Sequence, residues 1–273
     1  MRTIPANSVK FINISKLLIA NKIKETSFVV LISMILISVF NFNLFDYSIS
    51  RYVSYVGKNR DLIDVVVGII TGLNAFSNML MMSIVVFAWF YSDTNAKKIS
   101  VFIGALTSFG AGVISRILQF NLPMHVRPLY DPALNFRLPN GVAPGTLSHW
   151  SSFPSDHATI FFGFACTVNA VNPAAGALAY ILAFIFDFGR IYLGYHFPSD
   201  VIGGAALGIF CVTLTRPLCV NKKVNSFFLW CMAHKPYFFA VSFYFSICIA
   251  TMFDDYRAAI LKILHTFHVH IPT

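Results

Sequence analysis

Stretches of about 20 mainly apolar residues, the length a helix needs to cross a bilayer, recur along this chain. They fall near 27–45, 72–91, 99–119, 156–171, 174–193, 199–216 and 236–253. Composition agrees: over 273 residues, 57% are hydrophobic, 11% are charged and the mean hydropathy is +0.70, too apolar for a water-soluble domain of this length. The expected fold is all-α, a polytopic transmembrane bundle of six core helices with one extra C-terminal helix. The segment 62–73 is also apolar, but Asp61, Asp64, Gly68 and Gly72 make it an interfacial or extended start to the second span. The chain divides into a cytoplasmic N-terminal segment 1–26, a transmembrane core 27–216, and a further helix and tail 217–273. No internal repeat or low-complexity linker interrupts it.

Charge sets the orientation. Lys10, Lys16, Lys22, Lys24, Lys97, Lys98, Lys222, Lys223 and Lys235 flank the runs so that nine of eleven lysines fall on one side, leaving Lys58 and Lys262 opposite. The positive-inside rule makes that side cytoplasmic and puts 120–155 and 190–198 outside. A formal net charge of +9 distributed this way suits anionic headgroups, and nucleic acid is not expected as a partner. Cys166, Cys211, Cys219, Cys231 and Cys248 lie in or beside apolar runs without metal-ligand spacing and read as small buried hydrophobes. A basic stretch of more than twenty residues precedes the first run and no A-x-A-like site follows it, so a retained anchor is expected rather than a cleaved signal peptide.

Polar residues gather at the outer ends of four different spans: HVRP at 125–128, FPSDH at 153–157, GRIYLGYH at 189–196 and PSD at 198–200. Such a set contains what a phosphate site needs: forked cations, helix-start N–H donors, a nucleophile and an acid. Arg127, stiffened by Pro128, and Arg190 are candidate phosphate clamps, although an arginine at a span end also serves to reach lipid headgroups. Pro154 and Ser155 carry a helix-start signature, either a plain N-cap or an anion cradle with His157 as general acid beside it. His196 lies four residues before Asp200, a spacing that lets the carboxylate hold one ring nitrogen while the other attacks phosphorus. Asp200 as an ordinary cap and His196 as an interfacial aromatic fit that spacing equally.

Together these residues resemble the type 2 phosphatidic acid phosphatase superfamily, whose relatives include glucose-6-phosphatase, bacterial acid phosphatases and vanadium haloperoxidases. Its signatures are K-x6-RP, PSGH and SR-x5-H-x3-D. This chain offers Arg127-Pro128, then Pro154-Ser155-Asp156-His157, then Arg190, His196 and Asp200, in the same order and at matching intervals. The signature region is 116–200, and the likeness extends over roughly 72–216. There are three departures. Phe120 stands where the lysine is expected, with Arg116 or His125 as candidate replacements for its charge. Asp156 stands for the glycine, and is read as capping a helix N–H or orienting an arginine. Gly189 stands for the serine, removing a hydroxyl.

The resemblance implies a metal-independent membrane phosphatase acting on a lipid phosphate or diphosphate. In it His196 attacks, Asp200 orients His196, and His157 protonates the leaving oxygen. Arg127, Arg190, Ser155 and the N–H groups near Asp156 would hold the phosphoryl oxygens. No cofactor and no obligate protein partner is implied; the partners are the membrane and the lipid substrate. The expected location is a bacterial inner membrane with the site on the extracytoplasmic face, which favours undecaprenyl diphosphate. Two alternatives compete, a lipid phosphotransferase using the same phosphohistidine and a non-catalytic lipid-phosphate binder or transporter. Outside the signatures, His265, His268 and His270 match no common metal-ligand set, Asp187 is placed to pair with Arg190, and Trp150, Tyr192, Tyr195 and Phe197 read as interfacial anchors. Ser151 and Ser152 read as loop residues.

Overall fold

A computed structural model describes residues 44–72 and 74–251, together with the isolated positions 25, 28, 32, 259 and 262. Most of the expected first span and of the C-terminal tail, with His265, His268 and His270, lies outside the described residues. Among the described residues there are nine α-helices: α1 (Leu44–Val56), α2 (Asp61–Val67), α3 (Asn74–Tyr91), α4 (Asn95–Asn121), α5 (Asp156–Asn169), α6 (Pro173–Tyr192), α7 (Pro198–Thr215), α8 (Lys222–Ala233) and α9 (Lys235–Ala250). They form the all-α bundle expected from the apolar runs, and the chain is an integral membrane protein.

Three helices are long and apolar enough to cross a bilayer: α4, α6, and α7 with the 3-10 turn that extends it to Val220. A fourth span results if α2, its π-helical continuation Gly68–Gly72 and α3 count as one, bent by 45°. The segment 62–73 is thus a broken helical lead into the second expected span. The expected span at 156–171 is only the 14-residue helix α5, and α9 has 16 residues. α5 can be short because it faces protein rather than lipid: twelve of its residues are buried, packed among α4, α6 and α7.

Close approach to this central helix depends on glycine. A Cβ at Gly204 would sit 2.3 Å from the Ser155 carbonyl oxygen, and one at Gly208 2.1 Å from that of Thr159. This G-x-x-x-G pair on α7 lets the two backbones touch, the small-residue device by which helices associate in a bilayer. Ends are set by caps: Thr94 begins α4, Ser155 begins α5, and Asn172 with Pro173 begins α6. The same end of the bundle therefore collects the last turns of α4 and α6 and the first turns of α5 and α7.

The long connection 122–155 lies across that end and is fastened to it. The Tyr47 hydroxyl on α1 donates to Asp131 at 2.6 Å, and Arg137 forks onto Asp64 of α2 at 2.5 and 2.7 Å. Tyr192 also donates to Asp64, at 2.8 Å. Beneath the connection, Val53, Leu134, Phe136, Leu193 and Phe197 form a separate apolar cluster.

Candidate active site

Of the residues expected at the site, all but the half-buried Arg116 are buried at this end of the bundle. His196 lies in the short connection between α6 and α7, bent there by Gly194 at φ +74°. Its Nδ1 lies 3.0 Å from the Ser152 carbonyl oxygen and 3.6 Å from Asp200 Oδ2. Nδ1 therefore carries the proton and donates first to a backbone carbonyl, with the carboxylate behind it. Nε2 is left with its lone pair.

Asp200 itself has other partners. Oδ2 accepts the Phe197 N–H at 2.6 Å, a cap on the first turn of α7, and Oδ1 meets His125 Nδ1 at 3.0 Å. Asp200 thus caps α7 while its carboxylate also stands within 3.6 Å of the His196 ring. His125 also meets the Ser152 hydroxyl, 2.8 Å from Nδ1, and packs against Phe197 with ring centroids 5.0 Å apart. As a stand-in for the missing lysine, His125 is turned onto a carboxylate rather than left open. Burial alone would lower its pKa, yet Asp200, with Asp46 and Asp131 beyond, raises it above the ordinary value. For His196 burial dominates in the other direction, and the cations Arg127 and Arg190 add to it against Asp200, so its pKa is lowered.

Arg127 is 4% exposed and donates to three carbonyl oxygens: Nε to Trp150 at 3.2 Å, Nη1 to Tyr195 at 2.5 Å and Nη2 to Ser151 at 3.3 Å. It ties the segment before α5 to the segment before α7, and one N–H on each terminal nitrogen remains for a ligand. Burial pulls its pKa down to about 10, which leaves it charged at neutral pH. Arg190 uses only Nη2 among the described contacts, 3.3 Å from the Thr71 carbonyl and 2.6 Å from His157 Nε2. Asp187 makes no hydrogen bond with Arg190; its buried carboxylate oxygens have no hydrogen-bond partner among the described residues.

At the start of α5, Ser155 caps the Ala158 N–H at 3.4 Å, and Asp156 Oδ1 accepts the His157 N–H at 3.0 Å. Two of the helix-start donors expected to face an anion are therefore already engaged, because Asp156 brings its own acceptor. Its other oxygen pairs with Arg116, whose guanidinium lies over the Trp150 ring at 5.1 Å. Phe120, in the lysine position, is exposed and packs edge-on to the same ring. A Cβ on Gly189 would lie 2.1 Å from Thr71 Cγ2, so the space of the missing serine side chain is filled from the π-helical turn.

Several participants escaped the sequence reading. Ser152 holds both histidines, through its carbonyl and its hydroxyl. Gln119 and Ser115 both donate to the Pro154 carbonyl, and Asp46 accepts from Ser199 N–H at 2.9 Å at the start of α7. Backbone carbonyls carry no residue type, so nothing in the sequence marks those of Ser152 and Thr71. Asp46 lies more than 150 positions from its partner, and only its place among apolar residues could have singled it out.

Two neutral imidazoles, each held at Nδ1, and two buried guanidiniums thus lie around one end of the bundle, an arrangement suited to binding a tetrahedral anion and moving a proton. Comparison with known proteins points the same way. Residues 125–223 match the PAP2 superfamily. The protein named "Putative undecaprenyl-diphosphatase YbjG" of Escherichia coli (strain K12) is 34% identical over 88 residues, covering 32% of this chain and 39% of that protein, about two fifths of its length. "Undecaprenyl-diphosphatase BcrC" of Bacillus subtilis (strain 168) is 23% identical over 164 residues, 60% of this chain and 79% of that one. The crystal structure of a transmembrane PAP2-type phosphatidylglycerolphosphate phosphatase from Bacillus subtilis superposes with a TM-score of 0.51 at 21% identity, over 73% of this chain and 98% of that one. Residues 125–223, which carry most of the site, thus match the PAP2 superfamily, and the bundle shares the fold of a transmembrane PAP2-type phosphatase.

Proposed function

We propose that the protein is a phosphatase of the bacterial plasma membrane that hydrolyses a lipid phosphate or diphosphate, with undecaprenyl diphosphate as first choice, through a phosphohistidine on His196. The observation that carries this reading is the His196 imidazole, held at Nδ1 by Ser152 and backed by Asp200, within electrostatic reach of Arg127 and Arg190. His196 Nε2 attacks phosphorus in line. The open N–H groups of Arg127 and Arg190 and the Ser155 hydroxyl hydrogen hold the phosphoryl oxygens. His157 gives a proton to the departing oxygen, then takes one from the water that cleaves the phosphohistidine. Little covalent work is asked of the protein in phosphoryl transfer, so positioning and charge supply most of the acceleration. The scheme requires no metal.

The choice of lipid draws on the two relatives whose names specify undecaprenyl diphosphate, and the lysine distribution supports a site on the extracytoplasmic face. The test is phosphate release by the full-length protein in detergent from a panel of undecaprenyl diphosphate, phosphatidate, phosphatidylglycerophosphate and lipid A. Undecaprenyl diphosphate should turn over fastest, and His196→Ala should lose at least about 1,000-fold in kcat. Activity unchanged by that substitution removes the nucleophile from the scheme. Phosphate that appears on an added lipid acceptor instead of in solution makes the protein a phosphotransferase.

A further inference from the structure

Asp156 stands where the superfamily signature has glycine, and its carboxylate is enclosed by donors on both oxygens. Oδ2 receives Arg116 Nη2 from α4; Oδ1 receives the His157 N–H at 3.0 Å and lies 3.1 Å from His157 Nδ1. Across the ring, His157 Nε2 faces Arg190 Nη2 at 2.6 Å. An arginine N–H can only donate, so Nε2 is an acceptor here and Nδ1 carries the proton toward Asp156. Arg116 is fixed in turn. Its Nη1 donates to Gln119 Oε1 at 2.9 Å, and Gln119 Nε2 donates to the Pro154 carbonyl at 2.7 Å, two residues before Asp156. The result is a continuous line from α4 through α5 to α6: Gln119, Arg116, Asp156, His157, Arg190.

We propose that Asp156 is the positioning residue of His157, with Arg116 acting through it, so that the site holds a second carboxylate–imidazole pair alongside Asp200 and His196. This rests on the reading of His157 as the acid and base of the reaction. Asp156 fixes the tautomer and aims Nε2 at the reacting phosphoryl group. When the substrate's oxygens draw Arg190 onto themselves, Nε2 is released and takes up a proton, giving an imidazolium whose Nδ1–H remains on the carboxylate. Nε2 passes its proton to the leaving oxygen as the bond from phosphorus to that oxygen breaks. The neutral ring then takes a proton from the attacking water and releases it to solvent as Arg190 returns to Nε2, which balances the proton drawn from solvent when substrate bound; one water is consumed per cycle. The groups facing His157 are Asp156 on its own helix, Arg190 on α6 and His196 before α7, with Arg116 of α4 behind Asp156. Arg116 also neutralises the carboxylate, which is how an acidic side chain is accommodated beside an anionic substrate.

The test uses the full chain in detergent micelles with 15N-labelled histidine, the His157 signals being assigned by their loss in His157→Gln. The wild type should show His157 protonated at Nδ1 and bare at Nε2, and Asp156→Ala should shift it toward the Nε2–H form. With undecaprenyl diphosphate, Asp156→Ala should lower kcat by about 10- to 100-fold while KM stays within about threefold, because a merely structural lesion moves both. Asp156→Asn keeps the volume and an acceptor for the helix N–H, and should retain the wild-type tautomer while losing rate. An Nε2–H tautomer in the wild type overturns the proposal, as does an unchanged tautomer and kcat in Asp156→Ala. If Asp156→Ala does not fold, the wild-type spectrum and Asp156→Asn still decide. A wild type that releases no phosphate refutes the proposed function instead, and the tautomer result stands apart from it.

Discussion

His125 and His196 share the carboxylate of Asp200, and the environment pushes the two rings in opposite directions. His125 gains a full hydrogen bond at 3.0 Å and is raised; His196, at 3.6 Å, is lowered by burial and by the two guanidiniums. A lowered value means that His196 stays neutral, and so nucleophilic, at pH values where an ordinary histidine is charged. The acid limb of kcat/KM should therefore titrate below 6.5, the unperturbed value. A limb above 6.5 would contradict the assignment of His196 to the attacking role. For His125 the sign reverses: its contribution to stability is fully present below 6.5 and is lost as the pH rises through its folded value. The types and intervals of His196, Asp200, Arg190 and His157 singled them out in the sequence, and the structure buries all four at one end of the bundle. Ser152, read only as a loop residue, was not singled out, since what it offers His196 is a carbonyl that every residue has.

Between elements, the contact of Gly189 on α6 with Thr71 explains a departure that from sequence was only a lost hydroxyl. The side chain missing from α6 is replaced by a methyl group from the π-helical turn, whose carbonyl then receives Arg190. Restoring the superfamily serine should be destabilising: Gly189→Ser places its Cβ inside Thr71, at a cost of about 1–3 kcal/mol from overpacking. Thermal unfolding of the detergent-solubilised protein should show a lower midpoint for Gly189→Ser and a recovery in Gly189→Ser with Thr71→Ala. Equal midpoints for Gly189→Ser and the parent would mean the turn yields without cost. The helix α5 makes a related point. Its apolar residues announced a span at 156–171, but hydropathy does not separate a helix facing lipid from one enclosed by other helices. Gly204 and Gly208 on α7 carried the signal for enclosure, as small residues four apart.

At the scale of the whole molecule, the bundle and its fastened connection 122–155 bring residues from four stretches of chain to one end, while Lys97 and Lys98 at the start of α4, and Lys222 and Lys223 beyond the end of α7, lie toward the other. Cysteines introduced at Leu138 and Asn95, in a background without the native five, should therefore react with impermeant reagents from opposite faces of intact spheroplasts and inverted vesicles. Labelling of both from one face would remove the extracytoplasmic assignment. The central claim is that His196 becomes the phosphoryl carrier, and it is tested most directly by trapping. Protein mixed with undecaprenyl diphosphate and quenched within milliseconds in alkali, where phosphohistidine survives, should yield by mass spectrometry a phosphoryl group on the peptide containing His196, in wild type and not in His196→Ala. A phosphoryl group on another residue, or phosphate release at the wild-type rate from His196→Ala, would contradict it.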